Sequence, residues 1–444
     1  MRRTAALLTS ATLLVGFAAP VAAASKPYIG GPCKLVHQVD WIKGVRAQCT
    51  WVPANTKKNG KLIWKPLAPA KTTATKNELS PTAPPASLAG FAGITSSESL
   101  TATTLCKTSD VSGRTDVSMG FPRPAAAMVG KSEPRILVLP VMFPDLPYTD
   151  TDLTQLTSTL KMTQEFYTRT SFGSVGLNFI VASREQWVLL PRTADDYGIV
   201  HNKPQQNNQV VVEDAIRLAD AGIDFSKFDS VLIETGRGNF SGGGQGFPGM
   251  TFPGQTGAAT RVSFDFGQNA GQFKTLAHEL GHSLFGLEDL YVFLNSSRPV
   301  VPDPTPAGSW DMMSNSSEEF FGWTKWLNGW LTDSQVRCLT SEKESVHYLT
   351  SIAVPGSSAK LVVANLADGV SLAVEVRKFS EGDTREFGVL AYVVDTRIGH
   401  GDGPIRARKF LLASGYNADL EGFRVTAGPA DADGMLVTVA RLNG

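Results

Sequence analysis

The segment His278-Glu279-Leu280-Gly281-His282 constrains this chain more than any other feature, because its two histidines have the spacing of one helix face. Side chains four residues apart lie one above the other on a helix, so both imidazoles can bind one zinc ion with a glutamate beside them. The surrounding residues, 272–286, have the apolar spacing of an amphipathic helix. The sequence therefore predicts a helix that carries a metal site on one side.

A helical wheel places the histidines and the apolar residues on opposite sides of this helix. Two histidines buried in an ordinary core would instead lie among the leucines, so we disfavour that alternative. Glu279 projects near the histidines without being in line with them, which favours a general base over a third ligand. The apolar side, expected to pack on a sheet, consists of Phe273, Leu276, Ala277, Leu280 and Leu284.

A catalytic zinc ion needs a third protein ligand and an open position. Gly286 can end the helix at low cost because glycine tolerates the left-handed conformation. The chain can then turn back and bring a carboxylate to the metal. Two acidic residues follow in the sequence, Glu288 and Asp289, and Asp289 is the preferred candidate.

Residues 278–291, HELGHSLFGLEDLY, resemble the active-site segment of the immune inhibitor A group of secreted bacterial metallopeptidases, family M6. That family is metzincin-like and has the pattern HExxHxxGxxD, in which the aspartate is the third zinc ligand. In this chain Gly286 lies eight rather than seven positions after His278. Alignment on the glycine assigns the ligand role to Asp289, whereas counting from His278 assigns it to Glu288.

Other segments extend the resemblance over roughly residues 119–410. Residues 308–314, GSWDMMS, resemble the family segment whose methionine forms the Met-turn beneath the metal, which implies this role for Met313. Residues 321–331 resemble the tryptophan-bearing segment that follows, and residues 135–145 resemble the first strand of the catalytic domain. Residues 171–175 match a conserved turn. The resemblance implies an α/β zinc peptidase and does not indicate its substrate.

The N-terminus has the pattern of an export signal: a basic start, an apolar stretch and a small-residue cleavage site within residues 1–24. We therefore expect a secreted, extracellular protein without a membrane span. Lys plus Arg and Asp plus Glu both number 41, so no charge excess indicates nucleic acid as a partner. We expect a monomer that acts on proteins or peptides. Four cysteines in an exported chain allow three pairings of two disulfides, of which we favour Cys33–Cys49 and Cys106–Cys338.

Composition divides the mature chain into four parts. Residues 25–65 are expected to form a small disulfide module, which could be a propeptide, a wall-binding module or a spacer. The stretch 66–118, rich in Pro, Thr, Ser and Ala at its start, is expected to be a linker. The catalytic domain spans 119–335, and strand-like runs predict a β-rich, sandwich-like domain over 336–444.

Three further segments carry weaker signals. The glycine-rich run 236–249 lacks the Gly-Lys-Ser/Thr of a phosphate loop and is interpreted as a flexible cleft rim. Residues 261–266 alternate polar and apolar and are expected to form the sheet edge that pairs with substrate. The sequence Asp431-Ala432-Asp433-Gly434 lacks the remaining ligands of a calcium loop and favours a hairpin turn, so structural Ca²⁺ has no specific motif behind it.

Two functions from different classes fit these patterns. The first is a secreted zinc endopeptidase, with His278, His282 and Asp289 on the metal and Glu279 as general base. The alternative is a catalytically inactive surface or wall-binding protein that keeps the scaffold but lost activity through the one-residue insertion. Zinc content would distinguish them, since the enzyme requires about one ion per chain.

Overall fold

The structure is a computed structural model, and it divides the chain into two compact units, Met1–Thr73 and Ala74–Gly444. In the first unit it describes Pro32 and three strands. In the second it describes residues 102–442 except 113–115, 200–207, 237–241, 247–260, 267–271, 295–300, 315–316, 341–342, 379–386 and 400. The predicted signal peptide, 1–24, lies outside the described residues. Within the described part of the chain, no helix is long and apolar enough to cross a membrane.

The first unit contains a three-stranded antiparallel sheet in the order β1-β2-β3. Its strands are β1 (Val39–Ile42), β2 (Val45–Val52) and β3 (Lys61–Pro66). Short strands are what the sequence of 25–65 predicts. Cys49 belongs to β2, but Cys33 lies outside the described residues, so the Cys33–Cys49 pair stays a prediction.

A six-stranded sheet with helices on both faces forms the centre of the second unit. The strands lie in the order β5-β4-β7-β9-β8, with β6 beside β4, and all pairings are parallel except that of β8 with β9. The elements are β4 (Arg135–Met142), α1 (Asp150–Thr170), β5 (Asn178–Val181), β6 (Val188–Leu189), α2 (Asn208–Ala219), β7 (Ser230–Thr235), β8 (Gly242–Gly246), β9 (Val262–Phe266) and α3 (Gln272–Phe285).

The apolar run of β4 is explained by burial on both faces. Ile136 and Val138 belong to one hydrophobic core with α1 and α3, whereas Leu137 and Leu139 belong to a second core with α2. Consecutive residues of a strand point to opposite faces, so such a strand needs apolar residues at every position. The mixed α/β class predicted for 119–335 agrees with this arrangement.

The expected substrate edge is wrong in its position. Residues 261–266 contain β9, which lies inside the sheet between β7 and β8, and the glycine-rich run supplies the edge strand β8 instead. Glycine has low strand propensity, so the glycine-rich run 236–249 predicts a loop rather than a strand. Backbone hydrogen bonds to β9 form the strand, and a pattern of side chains cannot reveal them.

The C-terminal region contains two facing sheets. Their strand orders are β10-β12-β13-β14-β15 and β11-β18-β17-β16, and apolar residues of both sheets share one core. The hairpin between β17 and β18 contains Asp431, whose carboxylate accepts hydrogen bonds from the Asp433 and Gly434 amides and the Tyr348 hydroxyl. The elements are α4 (Gly322–Leu327), β10 (Val336–Leu339), β11 (Glu344–Thr350), β12 (Leu361–Ala367), β13 (Val370–Arg377), β14 (Gly388–Asp395), β15 (Ile405–Ala407), β16 (Asn417–Leu420), β17 (Phe423–Ala430) and β18 (Gly434–Arg441).

The β-rich region shares a core with the α/β region. Val363 and Tyr392, on the first of the two sheets, belong to the same hydrophobic core as Leu276 and Leu280 of α3. The boundary at 335–336 therefore separates two chain segments that fold on one another. The C-terminal sheet stabilises the layer on which α3 rests.

The predicted linker, 66–118, ends earlier than expected. Residues 103–106 form a 3-10 turn, and Thr108, Val117 and Ser118 are buried within the second unit. Cys106 forms the expected disulfide with Cys338, with Cα atoms 5.6 Å apart. A Ser/Thr-rich composition indicates weak local structure, but it does not exclude packing against the rest of the same chain. The segment that precedes the central sheet is thus part of the fold.

Replacing both Cys106 and Cys338 by alanine is expected to destabilise the second unit by about 2 to 5 kcal/mol. The bond closes a loop with a sequence separation of 232 residues, so its loss frees a large part of the unfolded chain. Urea unfolding of the oxidised protein and of the double variant checks this expectation. Equal midpoints would contradict it.

Candidate metal centre

Two histidines and one carboxylate converge at the C-terminal half of α3. His278 Nε2 lies 2.9 Å from Asp289 Oδ1 and 3.1 Å from His282 Nε2, and His282 Nε2 lies 3.3 Å from Asp289 Oδ1. Among the described residues, these three form the one group of His, Cys, Asp or Glu side chains arranged to hold a metal ion. Glu288 is not a member of this group.

The three donor atoms fit a zinc ion by their spacing and chemistry. Zinc binds imidazole nitrogens at about 2.0–2.1 Å, which places neighbouring donors of a tetrahedron about 3.4 Å apart. The distances found here, 2.9 to 3.3 Å, approach that value. Two imidazoles and one carboxylate leave a fourth position for water or substrate, which is the donor set of a catalytic site.

The other nitrogen of each imidazole is held by a main-chain carbonyl. His278 Nδ1 lies 3.0 Å from Met312 O, and His282 Nδ1 lies 2.6 Å from Leu287 O. A carbonyl only accepts, so both Nδ1 atoms carry the proton and donate it. Each Nε2 is thereby directed toward the cluster, where in its unprotonated form it can bind a metal ion.

The electrostatics of the cluster favour positive charge. Burial lowers the pKa of His278, but the hydrogen bond with Asp289 and the charges of Glu279 and Asp289 outweigh this and raise it to about 9. Burial alone would raise the pKa of Asp289, yet the two histidines hold it well below its ordinary value. A divalent cation competes with protons for such donors, so a cluster that attracts a proton also attracts a metal ion.

Glu279 lies beside the cluster and is not part of it. Its side chain is buried, and burial raises its carboxyl pKa, although the charges of His278 and His282 partly oppose this. A glutamate with a raised pKa is a better proton acceptor near neutral pH than an exposed one. The position next to His278 on the helix gives it access to the same small volume.

The turn after α3 explains how the extra residue is accommodated. The helix continues to Phe285, Gly286 has a φ of 60°, and the Leu287 amide bonds the carbonyl of Gly281 six residues earlier. This wide turn absorbs one residue and returns Asp289 to the histidines. Glu288 is also buried, and its charge acts on Arg123.

Met313 packs beneath the middle of α3. The side chain is buried, and its main-chain carbonyl accepts a hydrogen bond of 2.8 Å from the Leu290 amide, next to Asp289. A Cβ atom added at Gly281 would lie 2.5 Å from Met313 Sδ. Glycine inside the motif is therefore needed for this close contact. The Met-turn role that the resemblance implies for Met313 stays a prediction.

Gly281→Ala is expected to cost about 1 to 3 kcal/mol of stability, since the added methyl group overpacks the contact with Met313. Gly222→Ala is the matched control, because the nearest atom to its added Cβ is 4.0 Å away. Urea unfolding midpoints of both variants measure the difference. A Gly281→Ala midpoint equal to that of the control would contradict the expectation.

Two site residues were not identified from the sequence. The ring of Tyr291 is stacked on that of His278 with centroids 6.1 Å apart, and burial together with the charge of Asp289 raises the pKa of its hydroxyl. Arg123 donates hydrogen bonds to the carbonyls of Phe285 and Gly286 at the end of α3. Tyr291 follows Asp289 by two residues, and this closeness in sequence is a signal for a residue near the site. No local pattern connects Arg123 with a helix more than 150 residues later.

Comparison with known proteins gives slight structural similarities. No protein-family model and no curated protein matches the chain. A crystal structure of metalloproteinase-II from Bacteroides fragilis aligns with a TM-score of 0.26 and 12% identity, over 47% of this chain and 57% of that one. Catalytically inactive OgpA from Akkermansia muciniphila, in complex with an O-glycopeptide substrate, aligns with a TM-score of 0.25 and 13% identity, over 66% and 96% of the two chains. Alignments at this TM-score do not establish a shared fold.

Proposed function

We propose that this chain is a secreted zinc endopeptidase that hydrolyses peptide bonds of proteins. The observation that carries the proposal is the convergence of His278, His282 and Asp289 within hydrogen-bond distances, with the buried carboxyl of Glu279 beside them. In this proposal the first three residues hold the metal. Glu279 is left free for proton transfer.

The chain's own residues account for the acid–base part of the reaction. When bound, zinc lowers the pKa of water to about 7 and polarises the scissile carbonyl. Glu279 takes a proton from the attacking water and later donates it to the leaving amine nitrogen. Met312 O and Leu287 O keep the two imidazoles in the required tautomer and orientation.

The edge strand β8 supports an extended peptide as substrate. It pairs antiparallel with β9, contacts α3 and, among the strands that the structure describes, ends the order of the central sheet. An unpaired strand edge can add a peptide as a further strand through main-chain hydrogen bonds. Main-chain recognition of this kind suits an endopeptidase, because it needs no free terminus.

Metal content and cleavage test the proposal directly. The purified protein is expected to contain about one zinc ion per chain, to lose it to a chelator, and to cleave a proteome-derived peptide library only with metal bound. Mass spectrometry of the library products would show internal cleavage. A protein that binds zinc with high occupancy and yields no cleavage products would favour the inactive alternative.

The turn after α3 gives less support to the alternative of an inactive surface or wall-binding protein. An inactive scaffold was considered because of the one-residue insertion before Gly286. The wide turn from Gly281 to Leu287 accommodates the insertion and still returns a carboxylate to both histidines. The insertion by itself therefore gives no reason to expect loss of the metal.

A further inference from the structure

Arg123 lies where the chain reverses direction after α3. Its guanidinium donates hydrogen bonds to the carbonyls of Ser118, Phe285 and Gly286. The last two belong to the C-terminal end of α3, where carbonyls lack helical partners and the helix dipole favours a cation. One side chain thus satisfies the end of the helix and joins it to the segment before the central sheet.

The same guanidinium has two acidic neighbours. Burial lowers the pKa of Arg123 to about 10, while the charges of Asp110 and Glu288 partly oppose this effect. Glu288 is itself buried and immediately precedes Asp289. The Asp289 carboxylate thus contacts the histidine pair, whereas the charge of Glu288 acts on Arg123.

The turn that Arg123 contacts contains two parts of the metal site. Leu287 supplies the carbonyl that orients His282, and Asp289 supplies the third donor. A second contact fixes the same turn, since the Ser118 amide donates to Gly286 O at 2.9 Å. Any shift of Gly286 would move both parts together.

We infer that Arg123 is a positioning residue for the metal centre, fixing the turn after α3 through the main-chain carbonyls of Phe285 and Gly286. The inference deepens the proposed function and rests on it, because it assigns a residue that sets metal affinity without touching the metal.

Arg261 offers a matched control within the chain. Its guanidinium is partly buried and donates to the main-chain carbonyls of Ala126 and Asp229, rather than to the end of α3. Burial lowers its pKa as well. Arg261→Met therefore removes a comparable buried guanidinium without removing a contact with the turn.

The experiment measures zinc affinity by chelator competition and the visible spectrum of the cobalt-substituted protein, for the full chain and its variants. Arg123→Met is expected to weaken zinc binding by about 10- to 100-fold, the range for residues that orient ligands, and to alter the cobalt spectrum. Arg123→Lys keeps the positive charge but not the planar guanidinium with its several N–H donors, so a zinc affinity between those of the parent and Arg123→Met is expected. Arg261→Met is expected to keep the parent affinity and spectrum even where its thermal stability is lower.

An Arg123→Met protein with the parent's affinity and cobalt spectrum would overturn the inference. If that variant does not fold, Arg123→Lys decides, and parent affinity in the folded lysine protein would also overturn it. His278→Ala separates this result from failure of the proposed function. Zinc binding that survives His278→Ala would refute the metal site itself, whereas loss there with no effect at Arg123 would refute only the positioning role.

Discussion

Glu279→Gln is expected to lower turnover of peptide substrates by a factor of about 10² to 10⁴ while zinc stays bound. The amide keeps the size of the side chain and loses the capacity to accept the proton. His278, His282 and Asp289 are unchanged, so metal content should equal that of the parent. Rates of cleavage of individual library peptides, followed by mass spectrometry, and zinc content measured on the same samples check both parts.

Glu318→Gln provides the control for this result. Glu318 is exposed near the same region, where its carboxylate forms an ion pair with Lys274 at 3.1 Å. The same chemical change there should leave turnover close to the parent value. A Glu279→Gln protein with activity comparable to that control would refute Glu279 as the general base.

Asp289→Ala is expected to weaken zinc binding by more than the factor of about 10 to 100 that residues outside the ligand set cost. It removes the carboxylate that lies within 2.9 Å of one histidine and 3.3 Å of the other. Glu288→Ala should have the smaller effect, about tenfold or less, because its carboxylate is not a member of the group formed by Asp289 and the two histidines. Zinc affinity measured by chelator competition ranks the two.

The reverse ranking would transfer the ligand role to Glu288. Asp289→Asn gives a further check, since it keeps the shape and hydrogen-bonding size of the side chain but removes the negative charge. A severe loss in both Asp289 variants would indicate that the carboxylate itself is required. Retained affinity in Asp289→Asn would instead point to a role in packing.

The sequence was sufficient for the features that depend on local periodicity. The apolar residues of α3 recur at helical spacing, and Leu276, Leu280 and Leu284 are fully buried as that spacing predicts. The buried run of β4 and the short strands of the C-terminal region follow from the same kind of signal. The pairing of Cys106 with Cys338 was selected among three possibilities by compartment and spacing and agrees with the structure.

Tertiary structure alone decided what depends on backbone partners and on distant residues. The glycine-rich strand β8 exists because its backbone pairs with β9, and no side-chain alternation marks it. The wide turn after Gly286 brings the Asp289 carboxylate to the two histidines, whereas Glu288 is not a member of that group. Counting from His278 places Glu288, rather than Asp289, at the third position of the motif. The sequence shows the extra residue but not how the turn accommodates it. The sequence by itself thus determined the two histidines and the helix that carries them, while the convergence of Asp289 with both histidines is visible only in the tertiary structure.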